Sequence, residues 1–139
     1  MKKIALALIC VFVTGSAAAQ TYACQFIMDA GMIKESDRWQ VTSFKISEPF
    51  FLTIVDGLID KKPLANKPTD MTLDAVCMRD SFDSKAIGRS HWCADNMSYL
   101  SFSEKTLNGG FARTFGAMQS SSSPADSVSI SRFKCQQVR

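Results

Sequence analysis

The chain has 139 residues, 46% of them hydrophobic and 21% charged, with a formal net charge of +3 and a mean hydropathy of +0.00. No lysine or arginine cluster forms a phosphate-binding stripe, which argues against a nucleic-acid partner. The length and apolar content suit one packed core.

Residues 1–19 read as a secretory signal peptide of short, lysine-led bacterial type. Lys2 and Lys3 precede the apolar run IALALICVFV, and Ala17-Ala18-Ala19 offers a small-residue cleavage site. The run is too short to span a bilayer, and it lacks the polar face of an amphipathic core helix. Cleavage after Ala19 leaves residues 20–139 as a single disulfide-stabilised β domain. Losing Lys2 and Lys3 takes the formal charge from +3 to +1. No later apolar run reaches spanning length, so no transmembrane anchor is expected. Cys24 follows Gln20-Thr21-Tyr22-Ala23, which is not a lipoprotein cleavage motif. The expected location is periplasmic or secreted.

Cys10 leaves with the signal, and an even set remains: Cys24, Cys77, Cys93 and Cys135. In an oxidising compartment these form two disulfides, for which three pairings exist. Their positions favour Cys24 with Cys135, near the two ends, and Cys77 with Cys93 in the middle. Close Cys-x-x-Cys or paired-histidine spacings are absent, so no metal is expected.

TYACQFI opens the domain as a strand with Tyr22, Cys24 and Phe26 on one face. Asp29-Ala30-Gly31 predicts a turn. WQVTSFKIS predicts strand residues Trp39 and Val41, then Phe44 and Ile46 after a phase change that suggests a bulge. FFLTIV, ended by Asp56-Gly57, predicts a central strand buried on both sides. DKKPLANKPT reads as an exposed loop carrying Lys61, Lys62 and Lys67. TDMTLDAVCMRD predicts a short helix with Leu73, Val76 and Cys77 on one face. DSFDSKAIGRSHWCADN predicts an irregular stretch, and MSYLSFS with FARTF a hairpin turning at Asn108-Gly109. MQSSSSPADS reads as a loop, and SVSISRFKC closes the chain as a strand with Val128 and Ile130, then Phe133 and Cys135 after a second phase change.

Catalytic signals are weak. His91, the one histidine, stands two residues from Cys93, a spacing that shares a face in a strand, but a disulfide-bonded Cys93 has no thiolate. The expectation is a partly exposed loop histidine beside a packed Trp92. Ser120 to Ser123 lack a G-x-S-x-G elbow, and Asp80, Asp83 and Asp95 show no pairing that would make an acid and base. No catalytic residue, cofactor or metal is assigned.

The elements YACQF, RW, EPFFL, the central cysteines and FKCQ resemble a scattered group of small exported bacterial proteins, over nearly the whole of residues 20–139. That resemblance implies a disulfide-tied β fold and assigns no activity. Tyr22-x-Cys24 with Cys135 is more loosely similar to the periplasmic membrane-bound inhibitors of C-type lysozyme. For those proteins the resemblance implies a small β-barrel with tied terminal strands, and no site residue is carried over.

The expected fold is therefore mainly β: a small antiparallel barrel or sandwich with one short helix and two disulfides. The expected function is non-catalytic binding of a protein or cell-envelope partner, of inhibitor or immunity type. Its candidate contact loops are 60–69, 81–96 and 117–127, with Lys61, Lys62, Lys67, His91 and Trp92 as candidate contact residues. The alternative is a small-ligand carrier with a cavity lined by Trp39, Phe44, Phe50, Phe102, Phe111 and Phe115. A small hydrolase ranks third, because no nucleophile, base and orienting group assemble.

Overall fold

A computed structural model describes residues 19–35, 38–64, 71–80, 85–114 and 127–138. The proposed signal peptide, apart from Ala19, lies outside the described residues, as do Lys67, Asp83, Phe115 and the serine run.

Among the described residues nine strands form one antiparallel sheet: β1 (Gln20–Glu35), β2 (Arg38–Ser43), β3 (Phe50–Val55), β4 (Leu58–Ile59), β5 (Val76–Arg79), β6 (Ser90–Ala94), β7 (Ser98–Ser103), β8 (Asn108–Arg113) and β9 (Ser127–Val138). One short helix, α1 (Lys61–Leu64), follows β4. The order is β4-β3-β1-β9-β8-β7-β6-β5, and β4 returns against β5 and β6, so the sheet curls into a nearly closed barrel. Curling removes most of the exposed edge. β2 extends the sheet beyond β3, pairing with the second half of β1.

The core follows from period-two alternation. Tyr22, Cys24 and Phe26 of β1 point inward, as do Phe50, Leu52 and Ile54 of β3 and Phe133 and Cys135 of β9. Phe133 is the hub, with ring centroids 5.9 Å from Phe26, 5.2 Å from Phe50 and 6.5 Å from Phe102. Gly109 lies opposite Phe133 in the ladder, and a Cβ there would fall 2.1 Å from its ring. The missing side chain leaves space for the ring.

Both disulfides join residues that face each other across neighbouring strands. Cys24–Cys135 ties β1 to β9, and Cys77–Cys93 ties β5 to β6. The favoured pairing is the one present, and the first bond clamps the terminal strands together.

Several local expectations are corrected. Asp29-Ala30-Gly31 makes no turn, because all three residues pair with β9 and Ala30 and Gly31 pair with β2 as well. A Cβ on Gly31 would sit 1.9 Å from the Val128 carbonyl oxygen, so glycine permits a close strand approach there. FFLTIV is buried on one face only: Phe51 is 59% exposed, because the outer side of a barrel wall meets solvent. The segment 69–77 holds no helix among its described residues. Cys77 is drawn into a strand opposite Cys93, and Leu73 and Val76 are exposed.

The stretch 80–96, expected to be irregular, contains β6. The β7–β8 turn lies at residues 104–107, with Leu107 at φ 55°, and Asn108-Gly109 already belongs to β8. Trp39 and Val41 are exposed on β2. The register shift falls in β1, between Phe26 and Met28, where Ile27 and Met28 are both exposed. Past this bulge the odd-numbered residues of β1 face inward, so Val128 and Ile130 of β9 lie opposite the outward Met32 and Ala30.

Candidate functional site

Three surfaces bring functional chemistry together. The first is a cleft of about 570 Å³ at the end of the barrel reached by the second half of β1. Phe26, Phe44 and Phe111 supply apolar lining, and Ser127, Ser129 and Ser131 project from alternate positions of β9. Asp29, Lys45, Ser47 and Arg113 complete it. The strap 44–49 is anchored by the Phe44 N–H, which donates to the Asp29 carbonyl at 3.1 Å. Inside the cleft the Ser131 hydroxyl donates to Asp29 Oδ1 at 3.0 Å.

The second is a polar mouth of about 350 Å³ lined by Gln20, Asp56, Arg79, Arg89 and Glu104. It opens beside the Asp56-Gly57 turn, whose two positive φ values suit a tight hairpin. His91 lies fully buried nearby on β6, and its Nε2 donates to Glu104 Oε1. Its Nδ1 has no partner among the described residues. The Tyr22 hydroxyl donates to Gln20 Oε1 at 2.9 Å. Burial pushes the Tyr22 phenol up, and the Glu104 carboxylate adds to the effect.

The third surface is the outside of the wall β5-β6-β7-β8-β9-β1-β2. Strand register aligns Val76, Ala94, Tyr99, Ala112, Ile130, Ala30 and Ser43 in one outward row without a charged side chain. The adjoining row is Met78, Trp92, Ser101, Gly110, Arg132 and Met28. Val76 and Ile130 are 59% and 58% exposed, and Met28, Met78 and Tyr99 are also exposed. The Trp92 ring stacks on Tyr99 with centroids 6.2 Å apart.

The sequence candidates do not form one site. His91 is no exposed loop residue: strand pairing and its bond to Glu104 hold it fully buried. Trp92, its neighbour, points to the opposite face. Lys61 and Lys62 sit on α1 against β3, where Asp60 Oδ1 accepts the Lys62 N–H at 3.1 Å. Asp95 is a turn residue that accepts N–H bonds from Thr72, Met97 and Ser98. Of the proposed cavity aromatics, Phe44 and Phe111 line the cleft, Phe50 and Phe102 pack in the core, and Trp39 lies on the outlying β2. Among the described residues no three metal-ligating side chains converge.

The sequence reading missed Asp29, Arg113, Arg79, Glu104 and the outward row. The row was implicit in alternation: once Cys77, Cys93 and Leu100 face inward, Val76, Ala94 and Tyr99 must face out.

Fold and surfaces together define a disulfide-clamped antiparallel β-barrel with a broad apolar outer face. Comparison with protein-family models, curated proteins and solved structures finds no match to this chain.

Proposed function

We propose that the chain is an exported, non-catalytic binding protein that docks another protein on the outer face of the β5–β9 wall, in the manner of an inhibitor or immunity protein. The observation that carries this reading is the outward row from Val76 to Ala30, uncharged across six strands and flanked by Met78, Trp92 and Met28. Contiguous exposed apolar surface of this kind marks an interaction site. Tyr and Trp at its centre are residue types that anchor interfaces.

The strands β5 to β8 have four to six residues, short of the nine to eleven that cross a bilayer, and the barrel interior is packed with phenylalanine. A protein partner therefore fits the face better than a lipid one. Arg132 is the charged side chain among the described residues of these two rows, so the complementary partner surface is apolar with a carboxylate. Two cross-strand disulfides suit an oxidising compartment, and they hold the face in a fixed shape that lowers the entropy lost on docking.

The test is capture from periplasmic extract by the immobilised oxidised protein and by its Ile130→Glu, Tyr99→Glu and Phe51→Glu variants. A partner retained by the wild type and Phe51→Glu but weakened about tenfold or more by the other two supports the reading. Equal capture by all four refutes it.

A further inference from the structure

We infer that the outer edge of β2 pairs with β2 of a second copy of this chain, antiparallel about a two-fold axis at Gln40, so that one sheet runs through two barrels.

The starting observation is an edge without protection. The barrel's end strands β4 and β5 meet each other, whereas β2 pairs with β1 alone among the described residues. The Phe44 N–H donates to the Asp29 carbonyl one step beyond the paired residues of β2, and this bond sets the phase of the ladder. Bonded and non-bonded pairs alternate in an antiparallel ladder, so Arg38, Gln40 and Thr42 turn their N–H and C=O groups toward β1. Trp39, Val41 and Ser43 turn theirs away, along the open edge. All side chains of β2 but Thr42 are exposed, and Val41 is 86% exposed. Edges that stay single are blunted by lysine, proline or a bulge, yet from Trp39 to Ser43 there is neither charge nor proline.

Main-chain bonds alone would accept any extended segment, and the side-chain match is what selects a copy of this one. With Gln40 opposite Gln40 of the second copy, Trp39 lies opposite its Val41 and Arg38 opposite its Thr42. The two Trp39–Val41 pairs are those whose main-chain groups face the partner, so four N–H···O=C bonds cross the axis. Each sets an aromatic ring against a β-branched side chain, a favourable cross-strand pair that covers Val41. The Gln40 amides meet at a non-bonded pair, where side chains come closest, and each can both donate and accept. No like charges stand opposite each other. A slip by two residues would set Trp39 against Ser43 and lose this match. Six residues make a small contact beside the standard of about 800 Å² per partner, so a dissociation constant on the order of 100 μM is expected. The axis lies on β2, outside the β5–β9 wall, so this pairing stands or falls independently of protein docking there.

The experiment is sedimentation equilibrium of the oxidised chain from about 10 μM to about 1 mM, with circular dichroism to verify folding. A reversible monomer–dimer equilibrium is expected. Val41→Pro removes an N–H that points away from β1, so it spares the β1 ladder while deleting two of the four bonds across the axis, and should weaken the dimer at least tenfold. Gln40→Lys and Gln40→Glu, each on an exposed side chain, place like charges on the axis and should each weaken it, whereas their equimolar mixture should restore it. A monomer throughout the range would overturn the proposal. A dimer unchanged by Val41→Pro and by both charged variants would overturn β2 as its seat, and a mixture no tighter than the separate variants would overturn the axis at Gln40.

Discussion

Replacing the two disulfides separately should destabilise the barrel unequally, and the sequence separations give the order. Cys24–Cys135 closes a separation of 111 residues and Cys77–Cys93 one of 16. Loop-closure entropy gives about 4.8 kcal/mol for the first and about 3.1 kcal/mol for the second, a difference of about 1.7 kcal/mol. β1 and β9 pair from Thr21 to Ile33, so the native strands have other reasons to stay together when the bond is gone. The loss therefore falls mainly on the restraint of the unfolded chain. Burial works in the same direction, since Cys24 and Cys135 are each 1% exposed whereas Cys77 is only partly buried. Urea unfolding of Cys24→Ala/Cys135→Ala and Cys77→Ala/Cys93→Ala, followed by tryptophan fluorescence, measures both. The first variant should lose the larger share of a total stability on the order of 5–15 kcal/mol. An equal or larger loss in the second variant would refute loop closure as the source of the stabilisation.

Other outcomes follow from individual contacts. Burial works against the Asp95 carboxylate, but N–H bonds from Thr72, Met97 and Ser98 outweigh it and hold its pKa below the ordinary value of about 3.9. Its contribution is present above that unfolded-state value and is lost as pH falls through the lower folded-state one. Asp95→Asn should flatten the dependence of the urea midpoint on pH below about pH 5 and cost about 1 kcal/mol at pH 7. Gly109→Ala should lower stability by about 1–3 kcal/mol or more, since the new Cβ meets both the Phe133 ring and the Ser101 carbonyl oxygen; thermal melting reads this directly. Alkaline absorbance titration should show a phenol ionising above pH ~10 in the wild type that is lost in Tyr22→Phe.

Alternation around cysteines and aromatics made much of the barrel legible in the sequence. Tyr22, Cys24 and Phe26 announce the inward face of β1, and Leu100 with Phe102 that of β7. The misreadings arose where a long-range partner overrode a local signal. Asp-Ala-Gly is a turn sequence, but β2 and β9 flank it and the small Gly31 serves their approach. Residues near Cys77 carry helical spacing, yet pairing with β6 decides their conformation. The Asn108-Gly109 signal was displaced because Phe133, 24 positions away, needs the space over that glycine. The cleft was only partly legible. Phe44 and Phe111 were candidate lining residues, whereas Asp29, Arg113 and the serines of β9 meet through β1–β9 and β8–β9 register that no single segment encodes. His91 looked like a loop residue because no apolar run surrounds it, whereas strand pairing buries it and its partner Glu104 comes from the β7–β8 turn.

The proposed docking face is tested most directly by site-specific photo-cross-linking in the periplasm of cells, with a benzophenone side chain in place of Tyr99 or, separately, of Phe51. Both positions are exposed and point outward, Tyr99 from the apolar wall and Phe51 from β3. The account predicts a discrete cross-linked protein from position 99 that is lost on adding Ile130→Glu, and none from position 51. A partner cross-linked from position 51, with none from position 99, would contradict it.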